Sequence, residues 1–210
     1  MFTEIKSKSI GDAWKSLLSN ILEKGQETKD GDQIIKELCN VIVSLDHDVR
    51  LTDPIFEKYY DKKWISFMRA NFFDREPIND WGYSYGQRFF NYEGNNQIKD
   101  IIDKLRKNPL AKSATVSLAY PPGDKKHMPC IFCSDFKIRD GMLNITSYFR
   151  SKDAGKKFCA DVICLKEIQE MVSKEVGVKS GNFYLICSSM HIYEPEFKQA
   201  KLICQNEQGQ

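Results

Sequence analysis

A single α+β domain is what this sequence predicts, and three observations carry that expectation. Along the chain, helical periodicity comes first, strand-like segments follow, and one long apolar helix precedes a final strand. No repeat, low-complexity tract or linker interrupts the 210 residues. A hydrophobic share of 41% is enough for a sizeable core at this length.

The elements follow in order. Ser9-Ile-Gly-Asp12 introduces Ala13 to Leu22, whose apolar positions recur at helical spacing, and Gly25 stops that helix. Leu38 to Leu45 is short and β-branched and reads as a strand, with Asp46 to Asp53 as a polar loop. After Pro54, Ile55-Phe56 and Trp64 to Met68 suggest a helix, and Asp74 to Asp80 a loop. Gln97 to Lys107 is strongly amphipathic and ends at Asn108-Pro109. Ala114 to Tyr120 reads as a strand, Pro121 to Asp124 as a turn, and Cys130 to Ile138 as the next strand. Arg139-Asp140-Gly141 is a hairpin turn that returns the chain as Met142 to Arg150. A long helix from about Lys157 to Val176 is closed by Gly177, and Asn182 to Tyr193 is the last strand.

Charge and cysteine usage narrow the function class. Lys and Arg number 31 against 29 Asp and Glu, so the net charge of +2 supplies no long-range field for a nucleic-acid backbone. Any anion site must be local. Short apolar runs such as Val41 to Val43 fall far short of the roughly 20 residues that span a bilayer. Met1 to Lys6 has no apolar leader pattern, so a cytoplasmic protein without membrane or nucleic-acid partners is expected. The seven cysteines make an odd count, several within apolar segments, and read as reduced thiols. Cys130-x-x-Cys133 has the spacing of half a zinc site, but no second half follows, and no metal is expected.

Within the long helix, Phe158, Asp161, Leu165, Ile168 and Val172 fall on one stripe, which aims the Asp161 carboxylate the way of the core. An unpaired charge there must find hydrogen-bond partners or take up a proton. Asp161 therefore either grips a polar ligand or pairs with a buried Arg or a backbone group.

Met128-Pro129-Cys130, Arg150-Ser151-x-Asp153, His191-Ile-Tyr193 and Tyr83-Ser-Tyr85-Gly86-Gln87-Arg88 form an ordered set, together with Gln97-Ile98 and Arg106-x-Asn108-Pro109. Their order and separations resemble the thymidylate synthase family, including its cytidylate hydroxymethylases. The resemblance runs from about residue 9 to about 196 and leaves 197–210 as a C-terminal tail. It implies one thymidylate synthase-like domain over 1–210, a mixed sheet packed on a long core helix, and a homodimer formed through the sheet. A pyrimidine nucleotide as substrate and methylenetetrahydrofolate as co-substrate are implied too.

On this resemblance Cys130 matches the nucleophile, whose thiolate adds to C6 of a pyrimidine and enables C5 to attack a one-carbon unit. Arg150 matches the cation that lowers the thiol pKa and holds the nucleotide phosphate, and Ser151 a second phosphate ligand. Tyr85 matches a tyrosine that hydrogen-bonds near the nucleophile. Asp153 matches the carboxylate that contacts the folate pterin, and His191 and Tyr193 the pair on the sugar hydroxyl. The family's catalytic glutamate has no aligned counterpart; Glu57 and Glu76 are candidates, and Arg50 is a candidate phosphate contact.

The departures from the family pattern point to the substrate. Synthases carry an asparagine where this chain has Asp161. Asparagine offers a donor to uracil O4 and an acceptor to N3–H, whereas cytosine reverses both. A carboxyl group that accepts from N4 and shares a proton with N3 fits cytosine, and desolvation favours the protonated form. Cytosine-specific members mostly add water and not hydride to the C5 methylene, so 5-hydroxymethylation of CMP or dCMP is the expected reaction. Leu110-Ala111-Lys112-Ser113 replaces a pair of arginines that reach the partner subunit's phosphate site, keeping one cation, Lys112. That change favours CMP, while Ser151 favours dCMP. Ile131 stands where a histidine is common and Phe149 where a glutamine is. Reductive methylation of dUMP, or nucleotide binding without catalysis, are the alternatives.

Overall fold

The computed structural model describes residues 2–77 and 82–205. Its strands are β1 (Thr3–Ser9), β2 (Gln26–Asp30), β3 (Gln33–Arg50), β4 (Thr115–Ser117), β5 (Ile131–Arg139), β6 (Met142–Asp153) and β7 (Lys179–Tyr193). They form one sheet in the order β1, β3, β7, β6, β5, β4, with β2 paired to β3. The helices are α1 (Ile10–Lys24), α2 (Pro54–Tyr59), α3 (Lys63–Phe73), α4 (Tyr85–Phe90), α5 (Gln97–Lys107), α6 (Phe158–Val176) and α7 (Phe197–Gln205). β1 runs parallel to β3 and β6 parallel to β7, while the other pairs are antiparallel, so the sheet is mixed. Parallel neighbours need a crossover, and α6 supplies it between β6 and β7.

Local chemistry accounts for the helices. Ser9 Oγ accepts from the Asp12 N–H at 3.3 Å, and Trp14, Leu17, Leu18 and Ile21 bury one face of α1. Asn96 caps α5 by accepting from the Lys99 N–H at 3.0 Å, and Ile98, Ile101, Ile102 and Leu105 face inward. α6 is buried almost all round, including the stripe Phe158, Asp161, Leu165, Ile168 and Val172, and Gly177 ends it at φ 82°. Asp140 (φ 52°) and Gly141 (φ 73°) both take left-handed conformations, as the tight hairpin between β5 and β6 requires.

Several boundaries differ from the sequence-based expectation. Asp46 to Arg50 belongs to β3 and is not loop: its backbone pairing carries the strand past the last apolar alternation, to Arg50 opposite Ser9. The helical region after Pro54 is two helices broken at Tyr60–Lys62. The Tyr60 hydroxyl ties that corner to α6, donating to Lys156 O at 2.5 Å and accepting from the Ala160 N–H at 3.1 Å. The strand expected over 114–120 shrinks to β4, and Cys130 sits on a bend before β5 instead of inside a strand.

β1, β2, α4 and α7 have no counterpart in the sequence reading. β2 is exposed along its whole length and exists through its pairing with β3. α7 packs Ala200 and Ile203 inward, and the Cys204 thiol reaches Lys15 O on α1, so 197–205 is part of the fold. Residues 78–80 of the expected loop and 206–210 of the expected tail lie outside the described residues. Among the described residues no helix is long and apolar enough to cross a membrane.

Candidate active site

The parallel pair β6 and β7 end side by side, with Asp153 opposite His191. Around those ends a cavity of about 330 Å³ opens, within the range of small-ligand sites. The bend before β5 brings Cys130 to it, the first turn of α6 brings Asp161, and α3 and α4 bring Asn71 and Tyr85.

Arg150 organises the loop that carries Cys130. Its backbone N–H donates to Cys130 O at 2.9 Å. Its guanidinium folds back on the same loop, with Nε donating to Pro129 O at 3.1 Å and Nη2 to Met128 O at 2.7 Å. Nη1 donates to Ser151 Oγ at 3.2 Å, and that oxygen lies 3.7 Å from Cys130 Sγ. Arginine, serine and thiol therefore form one chain of contacts. Arg150 is exposed, and with exposed Lys126 and His127 it gives the cavity a basic rim of the kind that binds a phosphate.

Tyrosine, asparagine and histidine side chains make up another part of the lining. Tyr85 begins α4, its N–H donates to Asn71 Oδ1 at 3.2 Å, and its ring lies 4.9 Å from that of Phe72. Burial first, then the neighbouring Cys130 and Asp161, holds the phenol well above its ordinary pKa, so it stays a hydroxyl donor. The amide nitrogen of Asn71 is buried without a partner among the described residues. On β7, His191 and Tyr193 meet edge to face at 5.2 Å, and Tyr193 Oη donates to Asp30 Oδ2 at 2.7 Å. Burial lowers the His191 pKa, and its Nδ1 is also buried and unpartnered. Asp153 Oδ1 accepts from the Lys156 N–H at 3.0 Å, a turn that leads the chain into α6.

Among the described residues Asp161 is the least exposed of the charged ones, at 1%. Its partner is neither arginine nor backbone: the ammonium of Lys152, itself 3% exposed, donates to Oδ2. Burial raises the carboxyl pKa and Lys152 opposes it. Oδ1 has no partner among the described residues, and Asp161 lines the same cavity as Cys130. A buried group left with an open hydrogen-bonding site is costly unless a ligand or water completes it.

Cys130, Tyr85, Arg150, Ser151, Asp153, Asp161, His191 and Tyr193 all line this cavity. Lys112 is exposed in the segment after α5 and does not. Neither glutamate candidate does: Glu57 is exposed and paired with Lys62, and Glu76 is exposed. Arg50, the exposed last residue of β3, is absent from the lining as well. Among the described residues, the carboxylates that do line it are Asp30, Asp153 and Asp161. Sequence reasoning missed Lys152, Asn71, Asp30 and Lys126. Lys152 stood inside the Arg150-to-Asp153 motif, the one available signal for it. Among the described residues no group of three or more His, Cys, Asp or Glu is placed to hold a metal ion.

The thymidylate synthase family profile matches residues 32–210. A Methanosarcina barkeri protein named "Putative thymidylate synthase" is 33% identical over 205 residues, covering 95% of this chain and 93% of that protein. A Methanosarcina mazei protein of the same name is 32% identical, with 95% and 93% covered. One from Methanothermobacter thermautotrophicus is 28% identical over 217 residues, with 96% and 98% covered.

Proposed function

Because the chain belongs to the thymidylate synthase family, we propose that it transfers a one-carbon unit to C5 of a cytidine nucleotide, CMP or dCMP, and releases the 5-hydroxymethyl product. Asp161 carries this reading. Its Oδ1 is unpartnered, the residue lines the cavity that holds Cys130, and a carboxylate oxygen is an acceptor suited to the exocyclic amine of cytosine.

The residues divide the work. Arg150, Ser151 and the rim cation Lys126 take the phosphate, and His191 and Tyr193 face the sugar. Cys130 adds as thiolate to C6, the electron pair of the C5–C6 bond moves to C5, and C5 becomes the nucleophile. Methylenetetrahydrofolate, the family's co-substrate, supplies the one-carbon unit, and Asp153 offers a carboxylate to the N–H groups of its pterin. Tyr85, kept protonated by burial, donates a hydrogen bond beside the reacting carbon. C5 attacks the methylene carbon, the C5 proton is lost and tetrahydrofolate departs with the electron pair of its C–N bond, leaving an exocyclic methylene. Water adds to that carbon and gives up a proton, and as the electron pair returns through C5 the thiolate leaves C6 and the C5–C6 double bond re-forms.

A homodimer completes this reading. The sheet face turned away from α1 and α6 carries Phe132 and Tyr148, each 39% exposed, beside half-buried Ile42 and Ile186. That apolar strip suits a second copy, from which Lys112 would reach the phosphate rim.

The relatives' printed names favour a second reading, reductive methylation of a uridylate. One panel separates the two. Protein incubated with CMP, dCMP, UMP or dUMP and methylenetetrahydrofolate is expected to add one formaldehyde unit to a cytidine nucleotide, and Cys130→Ser to abolish the product by at least about a thousandfold. A methylated uridylate with dihydrofolate would establish the second reading, and no product from any nucleotide would overturn both.

A further inference from the structure

The Asp161 carboxylate has no proton of its own to offer while it is ion-paired. Lys152 Nζ donates to Oδ2, and a carboxylate in that state is an acceptor at both oxygens. The hydrogen-bonding edge of cytosine, by contrast, presents a donor at N4 next to an acceptor at N3. One acceptor in the protein answers N4 and leaves N3, deep in a buried site, needing a donor.

Lys152 is positioned to be that donor. It is 3% exposed yet lines the cavity together with Asp161 and Cys130. Its hydrogen-bond partner among the described residues is Asp161 alone, and the Phe149 ring lies 5.7 Å from Nζ. An ammonium carries three N–H bonds, so two are left after Asp161 is served. The backbone turns it inward at a phase slip. Leu143, Ile145, Ser147 and Phe149 alternate into the core, and continued alternation would put Lys152 on the open face. Instead β6 buries Lys152, and β7 slips in the same way, from Cys187 to Met190, the residue opposite it.

We infer that Lys152 is a specificity-determining residue that reads the base jointly with Asp161, Asp161 Oδ1 accepting from N4–H and Lys152 Nζ donating to ring N3. This inference rests on the proposed cytidine nucleotide site. It replaces the single amide of a synthase by two charged groups, each serving one atom of the base.

The test is nucleotide binding without folate, measured by calorimetry. CMP is compared with its 3-deaza analogue, in which a C–H replaces N3, and with cytidine, which lacks the phosphate. Wild type is expected to prefer CMP over 3-deaza-CMP by about ten- to a hundredfold, the worth of a hydrogen bond to a charged group. In Lys152→Met that preference should collapse towards unity while the preference for CMP over cytidine persists, and Lys152→Gln, which keeps a donor, should restore part of it. Persistence of the N3 preference in Lys152→Met overturns the role of Lys152 and leaves the cytosine assignment standing. Loss of both preferences means a merely structural lysine and overturns it too; if Lys152→Met does not fold, an N3 preference in Lys152→Gln below wild type supports the role and an unchanged one overturns it. Wild type that binds UMP in place of CMP overturns this inference and the cytosine assignment together.

Discussion

At the scale of single residues the site is governed by buried charge. The Lys152–Asp161 pair takes two ions out of water, and removing one partner strands the other. Lys152→Met is expected to destabilise the fold by about 3–5 kcal/mol in urea unfolding, while Lys152→Met with Asp161→Leu should recover most of that loss. Equal destabilisation of single and double variants would show that packing around the pair, and not its charge, sets the cost. His191 makes a separate prediction. Burial lowers its pKa below the ordinary 6.5, so the folded chain binds that proton less tightly than the unfolded one. Its contribution to stability is therefore present above 6.5 and lost as pH falls through the lowered value. Asp161 runs the other way, since a raised carboxyl pKa adds stability on acidification. Comparing wild type with His191→Gln between about pH 7 and pH 5 isolates the imidazole: the variant should lose less stability.

Elements position the site through close approaches that leave little room. Gly86, next to Tyr85 in α4, lies against the end of α3, where an added Cβ would fall 2.2 Å from Asp74 O and 2.8 Å from the Phe73 carbonyl carbon. Gly86→Ala must push α4 away from α3, which carries Asn71. A loss of about 1–3 kcal/mol is expected, together with a fall in turnover larger than the fall in nucleotide affinity. Calorimetric melting and steady-state kinetics on one preparation check both, and an unchanged turnover would separate this helix contact from the chemistry. The motif Tyr83 to Arg88 was legible in the sequence as a feature of the family. That it begins a helix was not, because six residues are too few to display a helical period.

For the whole molecule the open sheet face matters most. Phe132 and Tyr148 stand on neighbouring strands with large rings partly in water. Phe132→Glu is expected to weaken self-association at least thirtyfold or so, the equivalent of a hot-spot residue, as read by sedimentation. Activity should fall with it, since Lys112 does not reach the cavity of its own chain. A wild type that sediments as a monomer at full activity would remove the dimer from the proposal.

By itself the sequence determined the helices with clear caps and stripes, the hairpin at Asp140-Gly141, the order of the motifs and the burial of Asp161. These are local signals: 3.6-residue and two-residue periods, a Ser or Asn before an apolar run, a Gly where φ must be positive. Tertiary structure alone decided the rest. β1 and β2 are held by pairing to β3 and show little apolar alternation of their own. The partner of Asp161, the closing of Tyr193 onto Asp30, and the absence of Glu57 and Glu76 from the cavity depend on which strands lie side by side and in what register. A two-residue period predicts a face only while the alternation holds. Where β6 and β7 slip phase together, it turns Lys152 from a surface lysine into the buried partner of the carboxylate that shares a cavity with Cys130.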